Sequence, residues 1–289
     1  MRAATTKVWF VTGAGSGIGA GVTRAAIKAG HRVIATGRDL KKLRSALADI
    51  AGDDVLLQRL DITSAAEAQT AVDAAVARFG RIDVLVNNAG YSLLGNFEEF
   101  TVEQIERQFA TNFYGVVHVM RAVLPVMRRQ RAGHVINVSS VAGVVGFGHT
   151  AAYGATKFAV EGLSLSVAQE VQPFGIKVIV VEPGFFRTGL LDPRSVEWSS
   201  GHIADYGPAG TIAATWERYN GQQPGDPDRL GEALLRIADM EQPPKVFAAG
   251  SDALDAITPA VAARLAELQS HVDLSRSTDG AFSPESATV

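Results

Sequence analysis

This sequence predicts a doubly wound α/β fold built on a mostly seven-stranded parallel sheet, in a single domain. Three observations carry that reading. Short Val-, Ile- and Leu-rich runs alternate with longer helical patterns over roughly the first 250 residues. The runs lack the polar–apolar alternation of half-exposed strands, as suits parallel strands buried on both faces. A glycine-rich turn, Thr12-Gly13-Ala14-Gly15-Ser16-Gly17-Ile18-Gly19, follows the first run and opens a helix.

Val8–Val11 reads as the first strand. Gly17–Ala29 is the first helix, closed by Gly30, a residue that takes the left-handed backbone of a helix C-terminus without strain. Arg32–Thr36 is the second strand and Leu40–Ile50 a helix. Val55–Leu60 is the third strand, and Thr63-Ser64 caps a helix from Ala65 to Phe79. Ile82–Val86 is the fourth strand. Val102 to Arg129 is a long helical region with Pro125 inside it, a residue that can kink a helix. His134–Val138 is the fifth strand, Ala151–Val171 a helix, Ile176–Val181 the sixth strand and Lys245–Ala248 the seventh. Right-handed crossovers then place ligands beyond the carboxyl ends of the strands. Residues 1–250 form the expected dinucleotide-binding and catalytic domain, and 251–289 a C-terminal extension, partly mobile after His271. Residues 191–228 are rich in Gly, Pro, Ser, Trp and Tyr, and an insertion of this length at a ligand end reads as a substrate lid.

The bulk composition narrows the function. A formal net charge of −3 over 289 residues gives no reason to expect nucleic acid or an anionic membrane as partner. The absence of cysteine removes disulfides, thiolate metal sites and cysteine nucleophiles. No metal is expected, and a reducing, cytoplasmic location fits. The N-terminus has no apolar stretch of signal-peptide length, and no apolar run reaches the roughly 18 residues of a membrane span.

Gly13, Gly17 and Gly19 allow the tight turn and let backbone approach a pyrophosphate, whose charge then faces the N–H groups of the following helix. This is the Rossmann-type arrangement. After the second strand, an NAD site usually offers a carboxylate to the ribose 2′-hydroxyl. Here Gly37 stands at that place, followed by Arg38, whose guanidinium suits a 2′-phosphate; Ser16 adds a hydroxyl. NADP(H) is therefore expected as the preferred cofactor. NAD(H) is the alternative if Asp39 takes the ribose and Arg38 is a solvated charge.

Tyr153 and Lys157 lie one helical turn apart on one helix face, with Ser140 thirteen residues before Tyr153. Reduction of a ketone needs a hydride at carbon and a proton at oxygen. A phenol is a natural proton donor, but its pKa near 10 is high for exchange at neutrality. The Lys157 ammonium is expected to lower it, and Ser140 to hold the substrate oxygen. Each residue alone has a bland reading as a packing, solvated or turn residue; together with the glycine turn they point to hydride transfer.

With these residues in view, the chain resembles the short-chain dehydrogenase/reductases, in their shorter single-domain branch, from about Lys7 to Thr188. The resemblance implies a catalytic tetrad of Asn112, Ser140, Tyr153 and Lys157, with Asn112 holding a water beside the lysine. It implies cofactor contacts from Gly13, Gly15, Ser16, Gly17, Ile18 and Gly19, and from Arg38, Asp61 and Ile62. It also implies contacts from Asn88, Ala89 and Gly90, from Tyr153 and Lys157, and from Pro183, Gly184, Phe186 and Thr188. Asp61 is implied at the adenine, Asn87-Asn88-Ala89-Gly90 at the adenosine side, Lys157 also at the nicotinamide ribose, and Thr188 at the carboxamide or phosphate. The segment Ala35–Leu40 and the roughly hundred residues after Thr188 look most like the steroid- and retinol-dehydrogenase-like group.

Ser140, Val141, His149, Tyr153 and Phe185 are expected at the substrate, with lid residues Trp198, Tyr206 and Trp216 around an open apolar face. His149 suits a capping or packing role better than a substrate contact. The expected substrate is an apolar, cyclic or aromatic ketone or secondary alcohol. Reduction of an acyl-chain ketone on a carrier protein would want a basic docking patch, which Arg187 and Arg194 alone do not make. A dinucleotide-sensing regulator without turnover is the reading from another class, and such proteins usually lose the tyrosine or lysine. A homodimer or homotetramer through the helices at 102–129 and 151–171 is implied by the resemblance, with Ala155, Ala159 and Gly162 permitting close approach.

Overall fold

A computed structural model describes residues 6–50, 52–192 and 195–280. The expectation placed on Arg194 and the end of the C-terminal tail lie outside the described residues. Seven parallel strands form the central sheet: β1 (Val8–Val11), β2 (Arg32–Gly37), β3 (Val55–Arg59), β4 (Val84–Asn87), β6 (Gly133–Val138), β7 (Ile176–Pro183) and β9 (Val246–Ala249). Two short strands, β5 (Ser92–Leu94) and β8 (Val196–Trp198), pair with each other in parallel and make a second small sheet. The main sheet runs β3-β2-β1-β4-β6-β7-β9, so the winding reverses between β1 and β4.

Why the apolar runs show no alternation is visible in β1. Val8 and Phe10 enter the core on one face of the sheet, and Trp9 and Val11 the core on the other. The first core holds helices α3 (Ala65–Phe79), α5 (Gly115–Gln130) and α6 (Ala151–Val171). The second holds α1 (Gly17–Lys28), α2 (Leu40–Ala46) and α8 (Pro227–Asp239). Contact between α1 and α8 is backbone to backbone. A Cβ built on Gly21 would stand 2.4 Å from the Pro227 oxygen, and one on Gly231 2.6 Å from the Gly21 oxygen. Only residues without side chains fit there.

One local feature departs from expectation, and two expected segments take definite form. The helical region expected from Val102 to Arg129 is not one α-helix, although Pro125 lies inside α5 without ending it. It changes register earlier. Helix α4 (Val102–Phe109) ends in a π-helical turn, Ala110–Tyr114, before α5 begins. The segment expected as a lid carries short elements within it, β8 and α7 (Thr211–Glu217). The C-terminal extension is helical, as α9 (Ser251–Ser270) and α10 (Val272–Arg276), and every described residue from 261 onward is exposed.

Candidate active site

The glycine turn between β1 and α1 is locked by Thr12. Its hydroxyl accepts from the backbone N–H groups of Asn88 (2.9 Å) and Ala89 (3.1 Å), and Asn88 Nδ2 donates to the Thr12 oxygen at 3.0 Å. The β4 end and the turn thus hold each other. Gly13 and Gly17 have φ of 65° and 52°, the left-handed region that favours glycine. A Cβ on Gly13 would lie 2.9 Å from the Ala89 Cα, one on Gly17 2.9 Å from Thr188 Cγ2, and one on Gly19 2.4 Å from the Gly13 oxygen. Gly15 is different: its Cβ would meet nothing closer than 3.8 Å. Thr188, beyond β7, therefore closes over the turn that starts α1.

These elements border one cavity of about 910 Å³ at the carboxyl ends of the strands. Gly13, Ser16, Gly17, Ile18, Arg38, Asp61 and Ile62 line one end, with Asn88, Ala89 and Gly90 beside them. Ser140, Val141, Tyr153 and Lys157 line the other; Pro183, Gly184, Phe185, Phe186 and Thr188 also line the cavity, with Thr188 against Gly17. An anion-sized gap that any Cβ would fill, opening onto an elongated cleft, fits a dinucleotide. Gly15, Gly19 and Asn112 do not line it.

At the end of β2, Asp39 is already engaged. Its Oδ1 accepts from the N–H groups of Lys41 (2.8 Å) and Lys42 (3.2 Å), capping α2. Those bonds hold its carboxyl below the usual range. It does not line the cavity, whereas Gly37, Arg38 and Lys42 do. Lys42 is a second cation at this end that the sequence reading did not single out. Asp61 is bonded to the N–H and hydroxyl of Thr63 at 3.0 and 2.7 Å.

At the opposite end, Ser140 follows β6 and caps a short 3-10 turn, its Oγ accepting from the Ala142 N–H at 3.1 Å. Tyr153, in the first turn of α6, lies beside it. Lys157 is 7% exposed; its Nζ donates to the Val138 oxygen at 2.9 Å and stands 5.5 Å from the centre of the Tyr153 ring. The ammonium was expected to lower the phenol's pKa. Instead burial pushes the Tyr153 phenol up, opposed by the Ser140 hydroxyl. The ammonium points at a backbone carbonyl, and burial brings Lys157 itself down to about 8, against the pull of Glu161.

Asn112 sits in the π-helical turn, 2% exposed. Its Nδ2 donates to the Tyr91 oxygen at 2.9 Å and its Oδ1 accepts from the Tyr91 N–H at 3.1 Å, clamping the chain just after β4. A Cβ on Gly90 would lie 3.0 Å from that same Oδ1.

Several expected substrate residues are elsewhere. His149 has φ of 64°, is exposed, and its ring nitrogen meets Asn96 Oδ1 at 3.0 Å; the strained turn directs it away from the cavity. Tyr206 is 48% exposed and bonds Glu98, and Trp198 packs against the small cluster of Leu94, Leu191 and Val196. Trp216 does line the cavity, tilted against Phe185 with ring centres 6.2 Å apart. Tyr219 stacks on the same Phe185 ring at 5.8 Å. One wall is polar: Tyr91, Arg107 and Glu197, with Arg107 Nη2 at 2.6 Å from Glu197 Oε1. Burial, with Glu197 nearby, raises the Tyr91 phenol to about 12. That wall forms only when β8 folds back beside β5, so no local signal in the sequence announces it. Among the described residues no cluster of His, Asp or Glu is arranged for a metal, and no helix is long and apolar enough to cross a membrane.

The family model for short chain dehydrogenase matches residues 7–197. A 3-ketodihydrosphingosine reductase of Bacteroides thetaiotaomicron is 36% identical over 242 residues, covering 82% of this chain and 86% of that one. A solved short-chain dehydrogenase from Streptomyces avermitilis has a TM-score of 0.86 at 39% identity, covering 96% of this chain and 100% of its own. A serine dehydrogenase complexed with NADP+ has a TM-score of 0.71 at 31% identity, covering 83% and 93%. A 3-ketoacyl-(acyl-carrier-protein) reductase from Brucella melitensis complexed with NADH has a TM-score of 0.71 at 27% identity, covering 84% and 96%.

Proposed function

The chain belongs to the short-chain dehydrogenase/reductase family, and from that premise we propose that it is an NADP(H)-dependent oxidoreductase interconverting a ketone and a secondary alcohol. The observation that carries the reading is one continuous cavity with the glycine cradle at one end and Ser140, Tyr153 and Lys157 at the other. Preference for NADP(H) over NAD(H) rests on Asp39 being spent as a helix cap while Arg38 and Lys42 border the cleft.

When bound, the nicotinamide supplies or accepts the hydride. Gly13, Ser16, Gly17 and Ile18 receive the pyrophosphate side, with Asn88, Ala89, Gly90, Asp61 and Ile62 along the adenosine side. Pro183, Gly184 and Phe186 would lie on the nicotinamide side, where Thr188 would reach the carboxamide or a phosphate. Ser140 Oγ holds the substrate oxygen, and Tyr153 gives it a proton as reduction proceeds. Burial keeps the Tyr153 phenol protonated, which suits a proton donor; the Lys157 ammonium stabilises the phenolate that then forms. Asn112 fixes the Tyr91 backbone. An amide oxygen accepts two hydrogen bonds, so Oδ1 retains capacity for the water that the family resemblance implies.

Phe185, Trp216 and Leu191 favour an apolar cyclic or aromatic substrate, and Tyr91, Arg107 and Glu197 add one polar patch. Segment 191–228 acts as the lid over it, and the helices of residues 102–129 (α4 and α5) and α6 pair subunits into a dimer or tetramer. Turnover of NADPH against a panel of ketones, with Tyr153→Phe alongside, tests the reading. The variant is expected to lose about 10²- to 10⁴-fold in turnover with NADPH affinity unchanged. Retained turnover in the variant removes Tyr153 from the mechanism.

A further inference from the structure

Beneath the reactive groups lies a layer of buried polar side chains between the sheet and α6. Asn87 Nδ2 donates to Asn137 Oδ1 at 2.8 Å, and Asn137 Nδ2 donates to Ser164 Oγ at 2.8 Å. Strand alternation continues the layer. Ser139 follows the same face of β6 as Val135 and Asn137, and Glu182 the same face of β7 as Ile176 and Val178. Ser139, Glu182 and Glu161 are 2%, 6% and 9% exposed. Glu161 lies one helical turn after Lys157 on α6, and its Oε1 has no hydrogen-bond partner.

The position of that carboxyl is defined by its neighbours. A Cβ built on Gly143 would lie 2.4 Å from Ser139 Oγ, 3.2 Å from Glu161 Oε1 and 3.2 Å from the carbonyl carbon of Lys157. Glu161 is thus wedged between the turn that Ser140 caps and the helical turn that carries Lys157. The Lys157 ammonium donates to a neutral carbonyl, so that bond leaves its charge uncompensated. A buried ammonium is costly without an opposite charge near it.

We propose that Glu161 is a positioning residue for the reaction: its carboxylate is the counter-charge that keeps Lys157 an ammonium at the working pH. The proposal rests on the catalytic reading of Lys157 given above. Three groups face Glu161 besides its own turn. Burial raises it to about 7, the Ser139 hydroxyl pulls it back, Glu182 from β7 pushes it further up, and Lys157 pulls it down. Glu182 is itself raised by burial. As pH rises through neutrality Glu161 ionises, and the ammonium is then held to higher pH than burial alone would allow. Tyr153 keeps a cation beside it over that range.

The test is direct titration of Lys157 by NMR in protein labelled with ¹³C at the lysine ε-carbon, the signal assigned by its loss in Lys157→Met. Glu161→Gln is expected to move the Lys157 midpoint down by about one unit, and the alkaline limb of turnover moves with it. Ser139→Ala keeps the carboxyl but removes the hydroxyl that favours its ionised form, and shifts Lys157 the same way by less. An unchanged midpoint in both variants overturns the proposal, as does a uniform fall in turnover with no change in pH profile. If the protein reduces no carbonyl at all, the catalytic reading falls, while the Lys157 midpoint still decides whether Glu161 supports its charge.

Discussion

Replacing Gly37 with Asp and Arg38 with Ala should invert the cofactor preference. Gly37 can accept the change: its Cβ would meet only Leu43 Cδ1, at 3.9 Å, and its backbone is not in the left-handed region. Hydrogen bonds to a charged group contribute roughly 1.5–3 kcal/mol. Arg38 is exposed, so screening favours the lower half of that range, and Lys42 remains at the cleft to hold part of the phosphate. A loss of about 10- to 30-fold in NADPH affinity is expected. NADH affinity should rise about tenfold, because the new carboxylate can accept from the ribose hydroxyls. Fluorescence titration of both cofactors at low and high salt reads the effect. The NADPH loss should shrink as salt screens the exposed guanidinium. An NADPH affinity unchanged within about twofold, under half a kcal/mol, would refute the assignment and make Arg38 a solvated charge.

Two further changes probe buried residues. Asn112→Ala leaves the Tyr91 N–H unpaired, while the Tyr91 carbonyl keeps its bond from Gln108 Nε2, at about 1–3 kcal/mol. Calorimetry should show Tm falling by about 2–6 °C at roughly 2 °C per kcal/mol for a chain of this size; an unshifted Tm would deny the clamp. Lys157→Met should abolish turnover yet raise Tm at pH 7. The folded pKa of Lys157, about 8, lies below its ordinary 10.5. Folding therefore bears a penalty below about pH 8 that fades as pH rises toward 10.5, on the order of 3 kcal/mol in full. The gain in Tm over wild type should accordingly shrink by pH 9.5, and a gain that does not depend on pH would contradict the burial account.

What could be read beforehand follows from locality. The central strands were legible because parallel strands covered on both faces must be continuously apolar, and β4 shifted by only two residues at its start. The glycine turn and Tyr153-to-Lys157 spacing were legible because each works within one turn of chain. The π-helical turn at Ala110–Tyr114 was not, since a change of hydrogen-bond register leaves no mark in an apolar pattern. Strands β5 and β8 are three residues each and pair across about a hundred residues, so neither carries a strand signal of its own. Asp39 shows the limit of residue type as evidence. A carboxylate in the right place for ribose is taken by the first N–H groups of α2, and only the backbone reveals it. Helix α9 has Pro259 inside it and a weak apolar period, which hid its length.

The two glycines that bring α8 onto α1 have a consequence for how such a protein can diversify. Residues 189–226 leave the frame at Thr188, packed on Gly17, and rejoin it at α8, whose backbone rests on the helix that opens at the phosphate cradle. Both anchorages are independent of what lies between them. The intervening stretch is therefore a cassette: descendants can rewrite its sequence, and with it the shape of the substrate mouth, while the sheet and the dinucleotide cleft are inherited unchanged.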